Sequence, residues 1–248
     1  MTEKVFVIGH SHATAVVEAA RAIGMPVDFC NLWFDTKAVL AGNTGPRLHA
    51  DIAARIAKAD TVVSTLGGGA YLVLGLFAGT RPFDVLTRGS RREDMEPGTE
   101  AVPVAAVRAA IGASEAGALA LLKEVASHTR GRLLHMIPPP CTHEWEGEGF
   151  RRIADRMALL QNSAAPALPA VTPRFLRLWR LMAEVHRSAA AGVAAEAVAP
   201  PATALDAVGW LRADHAVDFA HGNARYGIAA LSWRGIPAGG DGAMVAIQ

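Results

Sequence analysis

The chain alternates short apolar runs with longer segments of helical periodicity. Val5-Phe6-Val7-Ile8 is continuously apolar and stops at Gly9, the pattern of a strand buried on both faces. Residues 12–23 place Ala, Val and Ile at helical spacing and close at Gly24 and Pro26, which predicts a helix. Val27 to Phe34 reads as a second strand. A loop containing Gly42, Asn43, Gly45 and Pro46 then leads into a helix over 47–59. The β-branched run Thr61-Val62-Val63-Ser64-Thr65-Leu66 is a third strand, ended by Gly67-Gly68-Gly69, with a short helix over 70–77 behind it. The polar stretch over 79–100 reads as a long surface loop, a kind of segment that is often functional in compact domains. An Ala/Leu-rich helical region spans 102–127 with a break expected at Gly112, and Arg132 to Ile137 is a fourth strand stopped by Pro138-Pro139-Pro140. A polar excursion over 141–149 precedes helices over 150–162 and 175–191, joined by a linker-like stretch from Pro166 to Pro173. An irregular region from Pro200 to His221 leads to a last helix over 224–233, with Asn223 as its N-cap.

Strands alternating with helices predict an α/β fold: a three-layer, doubly wound, mostly parallel sheet of about five strands, with right-handed crossovers. In such sheets ligands bind at the carboxyl ends of the strands. The 248 residues fit one domain over 1–248, with Pro166–Pro173 an ordinary crossover connection. A hydrophobic content of 51% against 19% charged excludes general disorder. Lys+Arg of 24 against Asp+Glu of 23 leaves no basic footprint for nucleic acid. Cys30 and Cys141 are too few for a disulfide framework and read as buried free thiols. No run approaches the ~18 consecutive apolar residues of a membrane span, so a cytoplasmic protein is expected.

Three strand ends and turns hold the chemistry. Gly9-His10-Ser11-His12 follows the first strand, Gly67-Gly68-Gly69 the third, and Asp218-Phe219-Ala220-His221 lies just before the last helix. A hydroxyl nucleophile needs a base, and the base needs an orienting group. A serine at a helix N-terminus can add its own backbone N–H to an oxyanion hole. Asp218 and His221, three apart in a loop, can present an imidazole to Ser11 while the carboxylate holds the other ring nitrogen. Ser11 could otherwise serve only as a helix cap, and the triple glycine only as a flexible turn.

This pattern resembles the SGNH (GDSL-type) hydrolases. Their nucleophilic serine directly follows the first strand, matching Ser11, and their Asp-x-x-His near the C-terminus matches Asp218 to His221. The resemblance spans residues 5 to about 233 and implies a flavodoxin-like strand order, ester hydrolysis through an acyl-enzyme, and no cofactor. Where the family has an aspartate before the serine, this chain has His10. The family's oxyanion asparagine falls on Gly69 and the following aspartate on Ala70, while its second-block glycine falls on Gly42. Losing a side-chain oxyanion donor costs ~2.7–4 kcal/mol of transition-state stabilisation in comparable sites. The expected donors are therefore the N–H groups of Ser11, Gly68 and Gly69, with Gly42 and the Asn43 side chain. His10, His12, Tyr71 and His143 are expected to line the substrate site, and the substrate to be a small-molecule or carbohydrate ester.

Other readings stay open. Gly9 to Ala13 also looks like the nucleophile elbow of α/β-hydrolases, but there the elbow follows several strands and here only one precedes it. The same fold without a working oxyanion hole would be a binding protein. His10 and His12, with Asp214, His215, Asp218 and His221, could instead serve a metal-dependent hydrolase. His135 reads as a satisfied core histidine. Arg88, Arg91 and Arg92 read as a solvated loop, because Glu93, Asp94 and Glu96 follow at once. Oligomeric state is left open.

Overall fold

The structure is a computed structural model that describes residues 3–42, 45–76, 82–87, 91–143, 172–233 and 235. In chain order its elements are β1 (Val5–Gly9), α1 (Ala13–Ala22), β2 (Val27–Asn31), β3 (Val39–Gly42), β4 (Gly45–Leu48), α2 (Ala50–Ala57), β5 (Thr61–Thr65), α3 (Ala70–Leu76), β6 (Phe83–Val85), β7 (Glu100–Val102), α4 (Val104–His128), β8 (Arg132–Met136), α5 (Pro173–Ala191), β9 (Glu196–Val198) and α6 (Ala224–Trp233). Five strands form the central sheet in the order β2-β1-β5-β8-β9, and every neighbouring pair is parallel. The expected doubly wound α/β architecture is therefore present.

The pleat sorts the core into two layers. Val5 and Val7 of β1, Val63 of β5, and Leu134 and Met136 of β8 pack against α1 and α6. Their neighbours Phe6, Ile8, Val62 and Leu133 face the other way, against Ile52 and Ile56 of α2 and Leu121, Leu122 and Val125 of α4. Side chains alternate faces along a strand, so an uninterrupted apolar run serves both layers. β1 and β5 are buried along their whole lengths, whereas the edge strand β2 is mostly not. A third cluster gathers Tyr71, Ile111, Phe175, Leu178 and Trp179 with Trp210, Phe219 and Ala220. Through the last three it anchors the irregular region between β9 and α6. Cys30 and Cys141 are both buried and free.

Several elements differ from the sequence expectation. The loop around Gly42 is a hairpin, β3–β4. α2 accordingly starts at Ala50, with His49 Nδ1 accepting the Asp51 N–H at 3.4 Å. α4 runs unbroken past Gly112; a glycine in a helix interior costs only ~1 kcal/mol relative to alanine, against the burial of Val107, Ile111, Leu122 and Val125. The 79–100 segment holds β6 and runs into β7, and the two form a short parallel pair. Arg177 of α5 braces it through the fully buried Asp84, whose carboxylate also accepts the Val85 and Glu96 N–H groups. The helix over 150–162 and nearly all of the Pro166–Pro173 stretch lie outside the described residues. α4 is long and apolar enough to cross a membrane, yet here it packs against α2 and α5 and sends a buried glutamate, Glu115, into the layer.

α1 and α6 approach so closely that Gly227 has no room for a side chain: a Cβ there would lie 2.2 Å from Ala15 O and 2.6 Å from Ala19 Cβ. Gly227→Ala is expected to destabilise by ~1–3 kcal/mol through overpacking. Calorimetry should then show a Tm lower by roughly 2–12 °C for a domain of this size. An unchanged Tm would mean that the two helices can separate freely.

Candidate active site

The site begins with a steric constraint. A Cβ on Gly9 would sit 1.9 Å from Thr65 Oγ1 and 2.8 Å from Thr65 O, so β1 and β5 can be this close only with glycine at the end of β1. Beyond it the chain turns through His10, Ser11 and His12 into α1. The turn is held by Ala13 N–H donating to His10 O at 3.0 Å and Thr14 N–H to Ser11 O at 3.1 Å. The Ser11 hydroxyl does not cap the helix. It lies 2.8 Å from His221 Nε2.

His221 Nδ1 lies 2.8 Å from each oxygen of Asp218. Asp218 Oδ1 also accepts the N–H groups of Ala220 at 2.8 Å and His221 at 2.9 Å, which folds the four residues into a tight turn. Phe219, between them, is fully buried and meets Phe175 edge-on at 6.2 Å. The turn is thus fastened from below by packing and from within by the carboxylate. Burial works to raise the Asp218 pKa, but the hydrogen bonds and charge of His221 and the two backbone N–H groups outweigh it and hold the carboxyl below its ordinary value. Ser11, His221 and Asp218, expected together from sequence, form one hydrogen-bonded chain at the carboxyl edge of the sheet. This is the geometry in which an imidazole can take a proton from a hydroxyl while a carboxylate fixes its tautomer.

His12 packs against the His221 ring, 4.8 Å between centroids. Burial, then the neighbouring His221, pushes its pKa down to about 3, so a neutral ring walls one side of the triad. His10 contacts the exposed Trp33 edge-on at 6.0 Å, and burial lowers its pKa as well. His143 stays about half exposed, 3.5 Å from Asp206.

The oxyanion loop departs from expectation. Gly67 and Gly68 adopt φ of 76° and 103°, a region that favours glycine. Gly68 N–H is not free for substrate: it donates to Glu115 Oε2 at 2.9 Å, and Ala70 N–H donates to Glu115 Oε1 at 2.9 Å. Gly69 is exposed, and a Cβ there would meet nothing within 4 Å. Gly42 sits at the exposed tip of the β3–β4 hairpin opposite Gly45, with no hydrogen bond to the triad among the described residues. Asn43 lies outside the described residues. Tyr71, expected at the substrate site, is instead a core residue: it is 1% exposed and its hydroxyl donates to Pro139 O at 3.4 Å.

Among the described residues, no group of three or more His, Cys, Asp or Glu is arranged to hold a metal ion. Arg91 pairs with Glu93 on the surface, as a solvated loop should, and Arg88 lies outside the described residues. A surface depression between α4 and α5 is lined by Arg108, Glu184, Val185, Arg187 and Ser188 and includes no triad residue.

Sequence reasoning missed Glu115 and the chain of buried groups behind it. His186 Nε2 lies 3.7 Å from Glu115 Oε2, His186 Nδ1 lies 2.8 Å from His135 Nε2, and His135 Nδ1 lies 3.1 Å from Ser64 Oγ. His135 is indeed a partnered core histidine. The available signal was thin: Glu115 is the one acid between Val104 and Ala120 of a mostly apolar helix.

No family model matches the sequence. No curated protein matches it either. Solved structures similar to this chain include SGNH hydrolases, lipases and esterases. An extracellular lipase from Streptomyces rimosus is 13% identical, with 96% of this chain and 98% of that one covered and a TM-score of 0.48. A phospholipase A1 from Streptomyces albidoflavus NA297 is 13% identical, with coverages of 96% and 98% and a TM-score of 0.45. A protein from Slackia heliotrinireducens assigned to the SGNH hydrolases is 13% identical, with coverages of 94% and 98% and a TM-score of 0.43.

Burial also lowers the pKa of His135 to about 3, with His186 adding to the effect. A ring kept neutral when folded but free to bind a proton when unfolded makes stability fall as the pH is lowered. The contribution of His12 and His135 is complete above pH 6.5 and is lost progressively between 6.5 and about 3. Denaturant titrations between pH 6 and 4 should show each ring costing ~1.4 kcal/mol per pH unit. His12→Gln and His135→Gln should each flatten that slope by about one proton; an unaltered slope in both would remove these rings as its source.

Proposed function

We propose that the protein is a serine hydrolase that cleaves carboxylic esters through an acyl-enzyme. The observation behind this reading is the continuous chain Ser11 Oγ to His221 Nε2 and His221 Nδ1 to Asp218, at 2.8 Å each. In the proposed reaction Ser11 Oγ attacks the ester carbonyl as its proton passes to His221. Asp218 keeps the imidazole Nδ1–H oriented and stabilises the charge that develops on the ring. The tetrahedral intermediate collapses as His221 delivers the proton to the leaving alcohol. Water then repeats the sequence on the acyl-serine. The N–H groups of Ser11 and Gly69 receive the oxyanion, the first at the start of α1 and the second on an open loop. The substrate is a small-molecule or carbohydrate ester, and the chemistry requires no cofactor.

Intact-mass labelling with diisopropyl fluorophosphate tests this reading. One adduct mapping to Ser11 is expected, absent in Ser11→Ala and slowed by about 10⁴-fold or more in His221→Ala, with hydrolysis of short acyl esters falling in parallel. Chelators should leave both unaffected. Folded protein that takes no adduct would instead favour a ligand-binding protein built on the same scaffold.

Gly69 offers a second test. Its carbonyl accepts the Leu72 and Val73 N–H groups, so it occupies the cap position of α3, where asparagine is favoured. Gly69→Asn therefore has both space and a capping role, and should keep or slightly raise Tm. By supplying the side-chain donor that the resemblance leads one to expect here, it should raise kcat for ester hydrolysis by about 10-fold or more. A folded variant with unchanged or lower kcat would show that the oxyanion is not received at position 69.

A further inference from the structure

We propose that Glu115 is the positioning residue of the oxyanion loop, a role that rests on the ester-hydrolase reading above. Its carboxylate, on the buried face of α4, accepts Gly68 N–H and Ala70 N–H on separate oxygens, both at 2.9 Å. With the flanking amides tied to one carboxylate, the Gly69 N–H is the loop amide we assign to substrate, and Gly69 itself is exposed. The fit is tight beneath the loop: a Cβ on Gly67 would lie 2.3 Å from Glu115 Oε2. Burial works to raise the Glu115 pKa, yet the donors around it (His186, Gly68 N–H and Ala70 N–H) hold it below the ordinary carboxylate value. The acceptor is therefore an ion, and charge-assisted hydrogen bonds of this kind are roughly twice as strong as neutral ones.

The groups behind Glu115 brace it in turn. Ser64, His135 and His186 are each 0% exposed. One assignment gives the two close contacts a donor and an acceptor each: Ser64 O–H to His135 Nδ1, and His135 Nε2–H to His186 Nδ1. His186 Nε2 then faces Glu115 Oε2 across 3.7 Å, an electrostatic contact longer than a hydrogen bond. The file ends on the carboxylate that holds the two amides flanking Gly69.

Amide NMR on the intact protein tests the proposal, before and after reaction with diisopropyl fluorophosphate. In that reaction Ser11 Oγ forms a P–O bond as the P–F bond breaks, the hydroxyl proton passes to His221, and fluoride leaves. The phosphoryl oxygen of the adduct then stands where the oxyanion would be. In the free protein, the Gly68 and Ala70 amides should be shifted downfield and exchange slowly, and the Gly69 amide should exchange quickly. In the adduct, the Ser11 and Gly69 amides should move downfield, and among the glycine-loop amides Gly69 alone should gain protection. Glu115→Gln, which keeps the volume but loses the charge and one acceptor oxygen, should release one of the Gly68 and Ala70 amides, weaken the hold on the other, and lower kcat by about 10–100-fold with KM changed less than about 2-fold. A merely structural residue would lower Tm without that split. If the variant does not fold, the spectra of the parent and its adduct decide alone. A labelled Ser11 with an unmoved Gly69 amide, or freely exchanging Gly68 and Ala70 amides, overturns this role and leaves the hydrolase reading intact. Failure of Ser11 to label overturns that reading, and this role with it.

Discussion

The approach of β1 to β5 at Gly9 sets everything at the carboxyl edge of the sheet. The parallel register pairs Gly9 with Thr65, so both strands end at the same height. Ser11 stands two residues beyond one end and Gly67 two residues beyond the other. A side chain at position 9 would push Thr65 away and separate the turn that presents the hydroxyl from the loop that presents backbone amides. The edge residue with no side chain therefore brings two functional loops into register, because parallel pairing fixes relative height as well as neighbour identity.

Each loop is then held by a carboxylate that gathers backbone N–H groups. Asp218 takes those of Ala220 and His221, and Glu115 takes those of Gly68 and Ala70. Glu115 is buried beneath its loop whereas Asp218 is partly exposed, and each also faces an imidazole, His186 or His221. The two arrangements differ in what continues beyond the imidazole: from His221 the part-buried Ser11 hydroxyl at the sheet edge, from His186 a second ring and a hydroxyl sealed in the core.

Much of this was legible in the sequence, for identifiable reasons. β1 is a continuous apolar run and β5 a β-branched one, because helices cover both faces, so pattern alone finds them. Ser11, Asp218 and His221 could be singled out because the first follows a strand directly and the others hold a fixed spacing. β9 escaped notice because it is three residues of Glu-Ala-Val following an Ala-rich helix end, where composition has no β signature. The β3–β4 hairpin escaped because Gly42, Gly45 and Pro46 read as loop, and only pairing across the turn reveals two strands. Tyr71 was misplaced because proximity in sequence to the glycine loop says nothing about which face of α3 it occupies. Glu115 was invisible because its partners lie 45 and 47 residues away, a separation that local pattern cannot bridge.

Ser11 and His221 are 210 residues apart in the chain, and their meeting depends on α6 lying against α1. Parallel pairing of distant strands already makes for slow folding, since the entropy of closing large loops is lost before distant contacts form. Within the fold the hydroxyl lies on the turn after the first strand, and the imidazole it meets lies just before the last helix. Any contiguous piece of the chain that stops before residue 218 therefore has neither the imidazole nor the carboxylate beside Ser11. The Ser11–His221 hydrogen bond is in this sense a reporter of finished folding, absent from every such fragment.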